Sequence, residues 1–184
     1  EGSFAWDGTS NVLILCQRTN GAWNSTINWQ AHNPGFYGMG YLYNDGSAYT
    51  VESNTYNMNR SNTARPNIIF NAGGRNRETI TMGTGTGSTN NMPFNTSSSW
   101  HDGHAQALYT AAEIAAAGGH AGYINEIGFQ LNANHTMHFD GVRVFLTTTT
   151  ATEIPGNTAI AMTSSDVEAY NGELDINGTG WYTL

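Results

Sequence analysis

The stretch "SFAWDGTSNVLIL", residues 3–15, decides how this chain is read. It looks like the end of one strand, an Asp7-Gly8 turn, and a second strand that continues through "NVLILCQR" at 11–18. The same grammar recurs along the chain. "GMGYLYNDGSAYTVES" (38–53), "PNIIFNA" (66–72), "RETITMG" (77–83) and "YINEIGFQLN" (123–132) are short apolar or alternating runs bounded by Gly, Asn or Pro. "MHFDGVRVFLTTTT" (137–150) and "GELDINGTGWYTL" (172–184) continue the series. Within the former, Val142, Val144 and Leu146 fall on one face of a strand, and Arg143, Phe145 and Thr147 on the other. Asp45-Gly46, Asp102-Gly103 and Asp140-Gly141 carry the same tight-turn signature as Asp7-Gly8.

One helix interrupts the strands. In "YTAAEIAAAGG" (109–119), Thr110 and Glu113 have capping-box spacing, the alanines favour helix, and Gly118 is placed to close it. The spacing predicts a helix over 110–117, too short to stand without a sheet to pack on. The fold class that follows is all-β: a two-layer antiparallel β-sandwich, jelly-roll-like, with one short helix, in a single domain over 1–184. The Gly/Thr stretch "MGTGTGSTNNMP" (82–93) reads as the longest flexible segment.

Composition bounds the partners. Charged residues are only 11% of the chain and the formal net charge is −8, the wrong sign for tracking phosphates, so no nucleic-acid partner is expected. No apolar run approaches the ~20 residues of a membrane-spanning helix, and membrane insertion is not expected. The single Cys16 excludes an internal disulfide and reads as a small buried hydrophobe. All six basic residues are Arg, and polarity comes from Asn, Thr, Ser and Gly, a composition that suits an extracellular or cell-surface setting.

Motifs for chemistry are weak. "WHDGH" (His101, Asp102, His104) and "NHTMHFD" (His135, His138, Asp140) invite a metal, but residues three apart in an extended segment point to opposite faces. They read as polar surface, and neither metal nor cofactor is expected. "DGTSN" and "NDGS" lack the spacing of a calcium loop, and "GTGTGS" lacks the Lys of a phosphate loop. Glu113, Glu126 and Asp140 have local explanations as cap or strand residues, and no enzymatic activity is expected.

Several stretches resemble one family together. "ITMGTGTGSTNNMPF" (80–94), "QALYTAAEIAAAG" (106–118), "YINEIGFQLN" and "FDGVRVFLTTTTATEI" (139–154) resemble a β-sandwich repeat of secreted and surface proteins of Bacteroidetes-type bacteria. That repeat is similar to the cleaved-adhesin domains of cell-surface haemagglutinins and proteases. Gln106, Tyr109, Thr110, Glu113 and Ile114 match its helix start, while the Lys after its threonines is absent. In such repeats "GWYTL" precedes a segment like "FAWDGTSNVLIL", and an "R-P-N-I" strand follows, matched here by Arg65 to Ile68. Residues 80–184 therefore look like the family's first part and 1–72 like its second, rejoined through 73–79.

The resemblance implies two arrangements: a closed permutant whose ends meet, or half-domain exchange between copies. On the second, a self-assembling structural subunit of a surface filament or tube would join through Phe4, Trp6, Val12, Ile14, Trp181, Tyr182 and Leu184. The alternative is an adhesive module binding surface glycans through aromatics crowded between 23 and 56, with Trp23, Trp29, Tyr37 and Tyr41 as the platform.

Overall fold

The computed structural model describes residues 3–19, 26–45, 49–50, 56–72, 78–94, 100–156, 158–162 and 166–184. They form twelve strands and one helix in this order: β1 (Phe4–Trp6), β2 (Asn11–Arg18), β3 (Trp29–His32), β4 (Met39–Asn44), β5 (Asn59–Ser61), β6 (Arg65–Pro66) and β7 (Ile68–Ala72). Then come β8 (Glu78–Met82), β9 (Gly87–Thr89), β10 (Asp102–Tyr109), α1 (Ala111–Ala116), β11 (Gly122–Thr149) and β12 (Val167–Thr183). Every pairing between described strands is antiparallel. The chain is all-β, as its sequence predicts.

β11 organises the molecule. Its second half (142–149) pairs with β2 and extends the order β5-β4-β10-β2-β11. Its first half pairs with β7, which pairs with β8. The continuous ladder curls over so that the two halves face each other across one core. Val12, Ile14, Cys16, Ala107, Val144 and Leu146 come from one side; Ile68, Phe70, Ile80, Ile127 and Phe129 come from the other. Burying such side chains is worth about 1.5–3 kcal/mol each, and it is the term that holds the halves together.

Alternation predicts the inner face of 142–146 correctly, but the opposite face is only partly solvated, at Arg143. Phe145 packs with Leu15, and Leu13 packs with Leu108 and Ile154, beneath residues of the segment leading out of β11. Gln106 joins this cover by donating to the Ile160 carbonyl and accepting from the Ile160 amide. The long apolar run of β2 is explained by burial on both faces.

Two Asp-Gly turns are corrected. Asp102-Gly103 begins β10, and Asp140-Gly141 lies inside β11. Gly141 adopts φ 58° at a register shift between Phe139 and Val142, and a Cβ there would sit 2.6 Å from the Thr19 carbonyl oxygen. The dipeptide therefore makes a bulge that bends the strand rather than a hairpin that ends it. Asp7-Gly8 does turn: the Asp7 carboxylate accepts from the amides of Thr9 and Ser10 at 2.8 and 2.7 Å. Gly46 lies outside the described residues.

The helix is α1, one residue shorter at each end than the predicted 110–117, with Thr110 and Ala117 as its caps. Thr110 Oγ1 accepts from the Glu113 amide, and the Glu113 carboxylate accepts from the Thr110 amide at 2.9 Å, the reciprocal box that the spacing requires. Ile114 alone of the helix is buried, tying it to the core.

Candidate functional site

The two strands named as an interface meet on β11 within one chain. Ile124 has Phe4 on one side and Ala72 on the other; Ile127 has Leu184 on one side and Phe70 on the other. β1 and the end of β12 therefore lie end to end along the same edge of β11, Trp6 opposite Gly122 and Trp181 opposite Gln130. A narrow apolar gap lined by Phe4, Ile124, Ile127, Leu146 and Leu184 marks the join. Phe4, Trp6, Val12 and Ile14 are buried in their own chain's core, against which Tyr182 and Leu184 pack partly buried. Exchange with a neighbour would reproduce these contacts rather than add to them. Of the seven residues, Trp181 alone is exposed, at 37%.

The outer side of β12 is a different matter. Across 167–183 this strand pairs with β11 alone among the described residues, leaving its far edge unpaired along both halves of the sandwich. Leu184 and Ile127 exchange both backbone hydrogen bonds, so in regular alternation the amides of Thr183 and Trp181 point away from β11, toward whatever lies beyond.

The aromatic platform is redistributed. Trp29 is wholly buried, edge-on to Phe94, Phe129 and Tyr182 at 6.4 Å, and has no face to offer a sugar. Arg60 sits 3.7 Å over the Tyr37 ring and covers it. Trp23 falls outside the described residues. Tyr41 remains partly exposed, and it begins a row that residue spacing alone does not reveal: Tyr41 and Tyr43, two apart on β4, are near-parallel at 6.1 Å, and Trp100 lies 5.1 Å from Tyr43.

A chain of polar side chains runs beneath α1. Arg65, 1% exposed, donates both terminal nitrogens to Glu113 and also bonds the Leu108 carbonyl. Its Nη2 donates to His32 Nε2 at 2.8 Å, and His32 Nδ1 donates to Asn67 Oδ1 at 3.1 Å. Asn67 in turn donates to the Gly85 carbonyl at 2.9 Å and to Gln130. Burial raises the Glu113 pKa, but the Arg65 and Thr110 interactions outweigh it and hold the carboxyl below its ordinary value. Burial and then the Arg65 charge lower His32, consistent with a neutral ring that both accepts and donates. The "GTGTG" glycines serve this network: a Cβ on Gly83 would stand 2.0 Å from His32 Nδ1. Gly83 and Gly85 permit close backbone approach to the partly buried His32, and the stretch includes β9, paired with β3.

The histidines are not all surface residues as read from sequence: His104 is 1% exposed and Asp102 is buried beside it on β10, while His135 and His138 line one groove. The partners of His138 come from across the ribbon. His138 is opposite Asp175 in the β11–β12 register, and Asp140 and Glu173, each two residues from one of that pair, share its face. His138 Nδ1 lies 2.7 Å from Asp175 Oδ1; its Nε2 lies 3.1 Å from Asp140 Oδ1 and 3.9 Å from Glu173 Oε2. Hydrogen bonds to Asp175 and then Asp140 raise the His138 pKa. Beside the cluster runs a groove of about 770 Å³ lined by Asn134, His135, Met137, His138, Asp175 and Asn177.

Comparisons of the chain with protein-family models, with curated proteins and with solved structures find no match.

Proposed function

We propose that this chain is a non-enzymatic structural subunit, working outside the cell, that assembles with copies of itself along the free edge of β12. The observation that carries the reading is the length of that edge: seventeen residues, crossing both halves of the sandwich, unpaired on the outer side among the described residues. A strand edge is a row of donors and acceptors that pairs with another strand when one is presented. The Lys-free, Asn- and Thr-rich composition and the motif resemblance to surface repeats support the setting. Self-association should appear in light scattering and electron micrographs of the purified protein. Trp181→Lys, which puts a cation on the edge and removes its exposed ring, should yield folded monomers. A wild-type protein that stays monomeric at high concentration, or a variant that assembles unchanged, would refute this reading.

One observation favours a second reading, an adhesive module for glycans: the row formed by Tyr41, Tyr43 and Trp100. Flat, partly exposed rings bind the apolar face of a pyranose. On this reading Tyr43→Ala should lose at least ten times the affinity for a glycan captured on an array while leaving self-association intact. An array without hits for folded protein removes it.

A further inference from the structure

We propose that His138, Asp140 and Glu173 bind a divalent transition-metal ion, of the zinc or manganese class, which ties β11 to β12 at the bend of the ribbon. One imidazole nitrogen with two carboxylates is a ligand set such ions accept, with solvent completing the coordination. The three ligand atoms lie within 4.8 Å of one another. In a tetrahedral zinc site with bonds of about 2.0–2.1 Å, ligand atoms are separated by about 3.3 Å. The 3.1 Å and 3.9 Å spacings around Nε2 bracket that figure, and the exposed side chains can close the difference.

The orientation of the ring is the second argument. Asp175, 2.7 Å from Nδ1, accepts its proton and turns Nε2 toward Asp140 and Glu173. A carboxylate behind a metal-binding imidazole does this: it fixes the tautomer and makes the other nitrogen a better ligand. Nε2 then faces the Asp140 and Glu173 carboxylates, and an ion seated between them would meet three ligand atoms. The position also fits a staple, because the site spans the register shift between Phe139 and Val142, where the ladder is interrupted. The three ligands belong to one chain, so the site forms whether or not subunits associate.

The test is isothermal titration of the full chain, stripped of metal, with zinc and then manganese near neutral pH. One ion per chain should bind at micromolar strength or better and raise the melting temperature, since a site assembled only in the folded state stabilises it. His138→Ala and Asp140→Asn should abolish binding; Asp175→Asn should weaken it about 10–100-fold, as loss of an outer carboxylate does. His135→Ala, in the neighbouring groove, should bind as wild type. Because these side chains are at the surface, the variants should keep the wild-type fold, checked by circular dichroism. Nitrogen NMR should show the metal-induced shift at His138 Nε2. Absence of binding at millimolar metal, binding that survives His138→Ala, or a His138 Nε2 that keeps its proton throughout would overturn the proposal.

Discussion

Glu113→Ala should be among the most damaging single substitutions in this protein, lowering the urea midpoint by the equivalent of about 3–5 kcal/mol, the range for breaking a buried ion pair. It removes the carboxylate that holds Arg65, leaving a guanidinium that is 1% exposed with His32, the Leu108 carbonyl and the faces of the Tyr109 and Phe36 rings around it, and no counter-charge in contact among the described residues. It also removes half of the capping box, worth about 1 kcal/mol by itself. Arg65→Met should cost less, because the carboxylate it strands is 30% exposed and can recover some hydration. The double variant should then be less destabilised than the sum of the two, since neither charge remains to be left alone. A Glu113→Ala cost near 1 kcal/mol would mean that the cap, and not the pair, is the contribution of this residue.

The second large effect is one of acidity. His104 sits on β10, 1% exposed, opposite Leu42 on β4 and edge-on to Tyr49 and Tyr56 at 5.9 and 5.6 Å, and neither ring nitrogen has a hydrogen-bond partner among the described residues. Burial pushes its pKa down from 6.5 to about 4. A folded-state value below the unfolded one means that stability rests on the neutral ring. It is fully present above pH 6.5 and is lost as the pH falls toward 4. The difference of 2.5 pH units, at 1.36 kcal/mol each, amounts to about 3 kcal/mol. His104→Leu should remove that part of the acid sensitivity while costing little at neutral pH, because it also removes two unsatisfied polar atoms. Carboxylates and His32 titrate in both proteins, so the quantity to measure is the difference between wild type and variant in urea stability at pH 7 and pH 4. Equal losses in the two proteins would show that His104 is not the group responsible.

Where the sequence reads well, local chemistry and tertiary demand agree. β2 is found at its full extent because burial on both faces writes an uninterrupted apolar run. The helix is found because its cap is made of neighbours three residues apart. Where it reads poorly, the deciding partner is far away. Asp140-Gly141 has the same signature as a turn or as a bulge, and what makes it a bulge is β2 and β12 running alongside. β10 escapes notice because "DGHAQALY" mixes polar, small and apolar residues, though every one of them is buried. Gln106 is paired by a segment some fifty residues on. Trp29 looks like a sugar-binding residue until its neighbours are known, and nothing beside Arg65 in sequence marks it as the buried partner of Glu113. For His138, the useful signal would have been the pair Glu173 and Asp175, spaced two apart on a strand like His138 and Asp140.

The sharing of β11 by both halves also sets the order in which the molecule can be built. Its partners come from residues 4–18, from Trp29 on β3, from 70–72 and from 167–184. Each of those pairings closes a long loop of chain, and the entropy of closure is lost before the pairing returns any stabilisation. Early structure is therefore confined to what lies close in sequence, such as the β7–β8 pair and the turn of α1. The central strand is completed last, when the segments 4–18 and 167–184 have both docked, which places this fold among the slow ones, on the millisecond-to-second scale of non-local β-proteins. Until β12 docks, the outer side of β11 is open along 128–146, and docking replaces that edge with the outer edge of β12.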